Sequence, residues 1–229
     1  MITLLAIDTS SPRCSVALAV NNGIIQRSSD AERQSAQKVL PMISELLSSA
    51  QLTLNQLDVI AVMAGPGSFT GLRIGIGVTQ GLSMANSIPA LPLSTLAVSA
   101  MAAVRESNSR HLLVSQRARG DEVYFGAYLQ SDQAGVVLAG TEQVCVPSQV
   151  CLPLELNSTT REWVGVGDGW KDHQQIESKL GIQLQGPVIQ PIGDIGDLCE
   201  LAKLRFALGE AIAAEQVMPN YIKEQLDYS

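Results

Sequence analysis

Two places in the sequence hold residue types able to act on a phosphate or an acyl group. One is Asp8, at the end of the apolar run Leu4-Leu5-Ala6-Ile7; the other is Gly65-Pro66-Gly67-Ser68-Phe69-Thr70-Gly71-Leu72-Arg73-Ile74-Gly75. A carboxylate at a strand end can hold a metal–phosphate group, although Asp8-Thr9-Ser10-Ser11 is also good local turn chemistry, and the turn is the simpler reading. Glycines between a strand and a helix offer free N–H groups and the positive end of the helix dipole to an anion. The loop lacks the Lys-Ser/Thr pair of a Walker A sequence, and Arg73 falls inside the following helix, so generic anion affinity survives and a dedicated nucleotide loop does not. Ser68 stands in no G-x-S-x-G elbow. The two histidines, His111 and His173, form neither H-x-x-x-H nor H-E-x-x-H, which removes the usual route to a zinc or iron hydrolase.

The glycines beyond the loop carry more information. Gly71 and Gly75 are four apart, as are Gly77 and Gly81, so small-residue ridges run along one helix. Each helical glycine costs about 1 kcal/mol relative to alanine, which close approach of another backbone can offset. That backbone belongs to the same fold, or to the fold and a partner; the spacing alone leaves both open.

The elements that must position these residues follow from periodicity. Leu4 to Ile7 is a strand, Cys14 to Val20 an alternating one, and Asn21-Asn22-Gly23 a hairpin turn into a third strand, Ile24 to Ser28. Val39, Leu40, Met42, Ile43, Leu46, Leu47 and Ala50 follow the helical period over Ser35 to Ala50, with Pro41 expected to kink that helix or confine its regular part to the residues after the proline. Asp58 to Met63 is a buried strand feeding the glycine loop, Thr70 to Ala85 a helix, Pro89 and Pro92 brackets of a short link, and Ser94 to Val104 another helix. Leu112 to Val114, a polar turn Ser115 to Asp121, and Glu122 to Leu129 echo the opening pattern, which points to two lobes of related topology. Trp163 to Trp170 reads as a strand with a glycine-rich end, and Ile195 to Leu208 as an amphipathic helix. The predicted class is α/β, with lobes over 1–104 and 105–229 and the helix near 195–208 able to pack back on the first.

Composition narrows the classes. The 229 residues, 46% hydrophobic and 16% charged, suffice for a substantial core. A charge of −7 with 4% aromatic residues argues against a chain that grips nucleic acid by itself. Arg105, Arg110, Arg117 and Arg119 are interleaved with Glu106, Asp121 and Glu122 and read as a solvated surface. Cys14, Cys145, Cys151 and Cys199 show no C-x-x-C pair, so reduced thiols in a cytoplasmic protein are expected. No signal peptide or membrane span is expected.

Together, Ala6-Ile7-Asp8-Thr9-Ser10, Cys14-Ser15-Val16-Ala17-Leu18, the Gly65–Gly75 segment, Glu122-Val123-Tyr124 and Pro219-Asn220-Tyr221-Ile222-Lys223 resemble the bacterial TsaB (YeaZ) family. The central segment is the most specific match. The resemblance implies two RNase-H-like lobes of the sugar-kinase, heat-shock ATPase and actin superfamily. It also implies a non-catalytic subunit that supports the catalytic paralogue TsaD in forming threonylcarbamoyladenosine beside the anticodon of tRNAs reading codons that begin with A. The ATPase TsaE and a homodimer are further implied partners, with tRNA reached only through the complex. No cofactor is expected on the isolated chain, no metal, and ATP or ADP only within the complex. The family's contact helices fall here at Ser35–Ala50 and Thr70–Ala85, so the expected partner surface is Val39, Met42, Ile43 and Leu46 with Gly71, Ile74, Gly75 and Val78.

Three departures from the family pattern stand out: Ser35 where many relatives have His, Arg117 where they have Asp, and Ser10 where superfamily kinases have Gly. The competing reading is an enzyme in its own right, a superfamily ATPase or a glycoprotease-like peptidase.

Overall fold

The computed structural model describes residues 2–21, 23–30, 34–156, 162–190 and 193–222. Asn22 of the expected hairpin and Lys223 of the terminal motif lie outside the described residues. The chain forms two compact units, Met1–Thr95 with Asp194–Asn220, and Leu96–Gly193. The division thus falls before the expected 104/105 boundary, and the segment expected to pack back belongs wholly to the first unit.

In the first unit β1 (Leu4–Asp8), β2 (Cys14–Val20) and β3 (Gly23–Ser29) form an antiparallel meander. β4 (Val59–Gly65) and β5 (Ala90–Ser94) join it parallel to β1, giving the order β3-β2-β1-β4-β5. The hairpin after β2 places Asn21 at φ 50, the left-handed conformation that Asn tolerates. Parallel pairing requires crossovers, which α1 (Ser35–Ser49) and α2 (Phe69–Asn86) supply. Leu5 and Ile7 join Val16, Leu18, Ile60 and Val62 in one core with Val39, Met42, Ile43, Leu46 and Ile76 of those helices. By strand alternation Leu4 and Ala6 face the opposite side, where α5 (Ile195–Ala207) packs on β1, β2, β4 and β5. Both faces are covered, which is why β1 and β4 are continuous apolar runs.

Two expectations for this unit change. α1 runs unbroken through Pro41, because Pro41 lies on its exposed face and the carbonyl left without a donor one turn earlier can reach water. The link bracketed by Pro89 and Pro92 is strand β5. It lies at the sheet edge, where a missing N–H is tolerated, and Ala90 makes a two-way backbone bridge to Ile212.

The second unit repeats the plan. After α3 (Thr95–Ser107) come β6 (His111–Arg117), β7 (Val123–Ser131) and β8 (Gly135–Cys145), antiparallel in turn, with β9 (Val164–Val166) parallel to β6. The order β8-β7-β6-β9 reproduces β3-β2-β1-β4, so the echo in the sequence is one of topology. Its core is Leu113, Val123, Phe125, Val150, Leu152, Trp163, Trp170 and Ile176, the last from α4 (His173–Leu180). β8 escapes sequence reading because much of it is half-exposed and its register shifts opposite Phe125 and Ala127.

Candidate functional site

β1 ends in the turn Asp8-Thr9-Ser10, and the glycine loop with the first turns of α2 lies directly against it. Three glycines four residues apart make this possible. A Cβ on Gly67 would meet the Ser10 carbonyl oxygen at 2.6 Å, one on Gly71 would overlap the Thr9 carbonyl oxygen outright, and one on Gly75 would meet Thr9 Oγ1 at 2.5 Å. The contact is also hydrogen-bonded. The Ser68 N–H donates to the Ser10 carbonyl at 2.7 Å, and Thr9 Oγ1 donates to the Gly71 carbonyl at 2.7 Å. Ser68 caps α2, its Oγ accepting from the Gly71 N–H at 3.3 Å. Two of the N–H groups a phosphate cradle would offer are therefore occupied within the chain, and the glycines serve its own turn. Thr9, buried to 1%, is the partner the sequence did not reveal.

The rest of the motif surrounds this contact. Gly65 sits at φ +113, a conformation that favours glycine, and Pro66 is buried. Gly67, Ser68, Thr70 and Arg73 are exposed, and Phe69 is 53% exposed with the Arg73 guanidinium 3.7 Å above its ring. At the exit of β4 the Ala64 carbonyl accepts from the Asn220 N–H at 2.8 Å, so the terminal Pro219-Asn220 motif is tied to the same corner.

A cavity of about 540 Å³ opens beside the turn, lined by Thr9, Ser11, Pro12, Ser35, Ser68, Thr70, Gly71 and Ile74. Among the described residues its polar side chains are hydroxyls and none that lines it is charged. It suits hydrogen bonding to a polar ligand, while neutralising a polyphosphate would require cations from elsewhere. Ser35, the departure from the His of relatives, forms part of this wall.

Asp8 is held by the turn: Oδ1 accepts from the Ser10 N–H at 2.8 Å and from Ser10 Oγ at 2.6 Å. Burial pushes the Asp8 carboxyl above its ordinary 3.8, against the lowering effect of those bonds. A raised carboxyl contributes stability that is complete below the unfolded value and is lost as pH climbs through the folded one. Asp8→Asn keeps an acceptor for Ser10 and is expected to be more stable than the parent at pH 7, with the difference shrinking as pH falls toward 3.8. Urea midpoints measured across that window test it; a variant less stable at pH 7 would show that the ionised carboxylate is needed.

The second unit uses the same device. Gly167, at φ +97, would place a Cβ 2.5 Å from the Ser115 carbonyl oxygen, and one on Gly169 would overlap Ser115 Oγ. The Arg117 N–H donates to Asp168 Oδ1 at 2.9 Å. Arg105, Arg110, Arg117 and Arg119 are all exposed. His111 packs edge-on against Trp163 with ring centroids 5.4 Å apart. Among the described residues no group of three or more His, Cys, Asp or Glu could hold a metal, and no helix is long and apolar enough to cross a membrane.

Most of the expected partner surface is enclosed within the first unit. Val39, Met42, Ile43 and Leu46 are buried in the first unit's own core, and Gly71 and Gly75 are covered by Thr9. Ile74 and Val78 are half-buried against the same core. A side chain already enclosed in its own unit has no surface left for a partner. The buried ridge of α2 continues from Gly71 and Gly75 through Thr79 and Ser83. The opposite ridge is exposed at Arg73, Gly77, Gly81 and Ala85, flanked by Phe69 and by Met84 at 65% exposure, and a Cβ at Gly77 or Gly81 meets nothing within 4 Å. On α1 the large apolar side chain left exposed is Leu40, at 50%.

Two units of strand order 3-2-1-4, each closing a glycine loop on the C-terminal end of its first strand or the residues just after it, define a member of the sugar-kinase, heat-shock ATPase and actin superfamily with RNase-H-like lobes. The family described as TsaD: tRNA N6-adenosine threonylcarbamoyltransferase matches residues 22–196. The tRNA threonylcarbamoyladenosine biosynthesis protein TsaB of Escherichia coli (strain K12) is 34% identical over 225 residues, covering 97% of this chain and 95% of that protein. YeaZ from Pseudomonas aeruginosa superposes with a TM-score of 0.81 at 39% identity, covering 96% of this chain and all of that one. A structure described as an uncharacterized protein with similarity to peptidase YEAZ, from the same organism, gives a TM-score of 0.84 at 37% identity and covers 97% of this chain. The chain belongs to the TsaB (YeaZ) family of tRNA threonylcarbamoyladenosine biosynthesis proteins.

Proposed function

We propose that this chain is the non-catalytic subunit that binds and supports the TsaD catalytic subunit in forming threonylcarbamoyladenosine beside the anticodon of tRNAs reading codons that begin with A. The observation that carries the reading is the exposed ridge of α2. Among the described residues nothing lies within 4 Å of a Cβ built at Gly77 or Gly81, yet each glycine costs the helix about 1 kcal/mol relative to alanine. Close approach of a second helix compensates such glycines, and Phe69, Arg73 and Met84 around them supply the aromatic, guanidinium and thioether groups that interfaces favour. The same face serves a homodimer when TsaD is absent. TsaE joins the assembled pair, and tRNA is met through the complex, consistent with the net charge of −7. ATP or ADP binds only in the complex, where partner cations complete the hydroxyl-lined cavity. The working compartment is the cytoplasm.

Reconstitution tests the role. Purified chain with tRNA and threonylcarbamoyl-adenylate is expected to yield no modified nucleoside. TsaD with TsaE is expected to turn over only when this chain is added. Nucleoside analysis by mass spectrometry reads the outcome, and full modification without this chain would overturn the reading.

A further inference from the structure

Two of the four cysteines, Cys145 and Cys151, lie on a part of the second unit that the proposed function does not use. Side chains alternate along β8, so Gln143 and Cys145 share a face, and their register partners Phe125 and Val123 set that face over the second unit's core. Cys151 stands between Val150 and Leu152 of that core and is itself exposed. Gln143 clamps it there. Its Oε1 accepts from the Cys151 N–H at 3.1 Å and from the Cys151 thiol at 3.1 Å, and its Nε2 donates to the Cys151 carbonyl at 2.7 Å. Strand residues two apart are about 7 Å from one another, so the clamp holds Cys151 beside the stretch of β8 that carries Cys145. The Cys145 thiol is pushed up by burial and then by the charges of Cys151 and Glu122.

We propose that Cys145 and Cys151 form a reversible dithiol–disulfide pair, in which the exposed Cys151 meets the oxidant and Cys145 resolves it. The oxidant is a hydroperoxide. The Cys151 thiolate attacks its terminal oxygen, the O–O bond breaks, and an alcohol or water leaves with a proton, giving the sulfenic acid. The Cys145 thiolate then attacks that sulfur, the S–S bond forms, and hydroxide leaves and is protonated to water. Two thiols and one peroxide thus become a disulfide, the reduced peroxide and water. The ring so formed encloses residues 146–150, and Val146 and Pro147 wall a cavity of about 490 Å³ shared with Arg117, Asp168 and Lys171. Oxidation ties that wall to β8. Cys14 and Cys199 are buried, their thiols pushed up to about 11 and about 12, and they provide internal controls.

No Lys or Arg separates the two cysteines, so one tryptic peptide carries both. The folded full chain is treated with hydrogen peroxide, denatured in iodoacetamide and digested. The expected peptide carries no added alkyl group and has lost two hydrogens, and reduction with dithiothreitol before alkylation restores two alkyl groups. In Cys145→Ser, dimedone is expected to trap a sulfenic acid on Cys151 that it does not trap in the parent. Any of three results would overturn the proposal: both thiols of the treated parent still alkylated, Cys151 passing to sulfinic acid with Cys145 free, or a covalent dimer through Cys151 in the parent.

Discussion

Gly71→Ala is expected to prevent the first unit from folding, although the change adds a single methyl group to a helix. Alanine is the better helix former, so propensity alone predicts a gain of about 1 kcal/mol. The new Cβ would instead overlap the Thr9 carbonyl oxygen, a backbone atom at the end of β1, and no side-chain rotamer can relieve the clash. Nor can the turn withdraw cheaply: Thr9 Oγ1 is bonded to the Gly71 carbonyl, the Ser10 carbonyl receives the Ser68 N–H, and β1 is the central strand between β2 and β4. Moving α2 away would open the core at Ile7, Val62 and Ile76. The expected loss is about 4 kcal/mol or more, comparable with the whole stability of a marginal domain. Gly77→Ala on the same helix has open space around it and is expected to raise stability by about 1 kcal/mol. Urea unfolding of the pair reads both signs at once. Equal midpoints for Gly71→Ala and the parent would show that the turn is not pinned to the helix.

Much of this architecture was written in periodicity. β2 falls at Cys14–Val20 as its alternation indicates, and β1, α1 and α2 fall within a residue of their predicted ends. Their signals are strong because each buries one clear face or two. β5 and β8 were hidden for opposite reasons. Pro92 made an edge strand look like a link, and β8 buries too little to alternate cleanly. The site was legible as a segment but not as a surface. Val39, Met42, Ile43 and Leu46 display the spacing of an apolar helix face, and that spacing reports burial without saying what does the burying. The glycines carried a finer signal. Gly75 and Gly77 are two residues apart, about 200° of helical rotation, so the ridges 71/75 and 77/81 had to face nearly opposite ways. Only the structure decides which ridge belongs to the fold, because the turn that covers Gly71 and Gly75 comes from residues more than sixty positions earlier.

That assignment leads to the second large effect, the replacement of Gly77 and Gly81 together by leucine. Neither change touches the chain's own core, so the double variant is expected to fold with stability equal to or above that of the parent. The complex with TsaD proposed above is expected to weaken by about 100-fold, roughly 2.7 kcal/mol, because two isobutyl groups would stand where the proposed partner helix approaches the backbone. Calorimetric titration with purified TsaD measures the affinity, and urea unfolding of the same preparation measures the stability. A fall in affinity with stability retained is the outcome a purely internal role for α2 does not produce. Ile43→Glu is the informative contrast: it buries a carboxylate in the core with Leu5 and Val16, so it is expected to lose the complex only by losing the fold. Unchanged affinity in the double leucine variant would move the docking surface off this ridge. The exposed glycines would then stand as a cost of about 2 kcal/mol to the helix with nothing among the described residues to offset it.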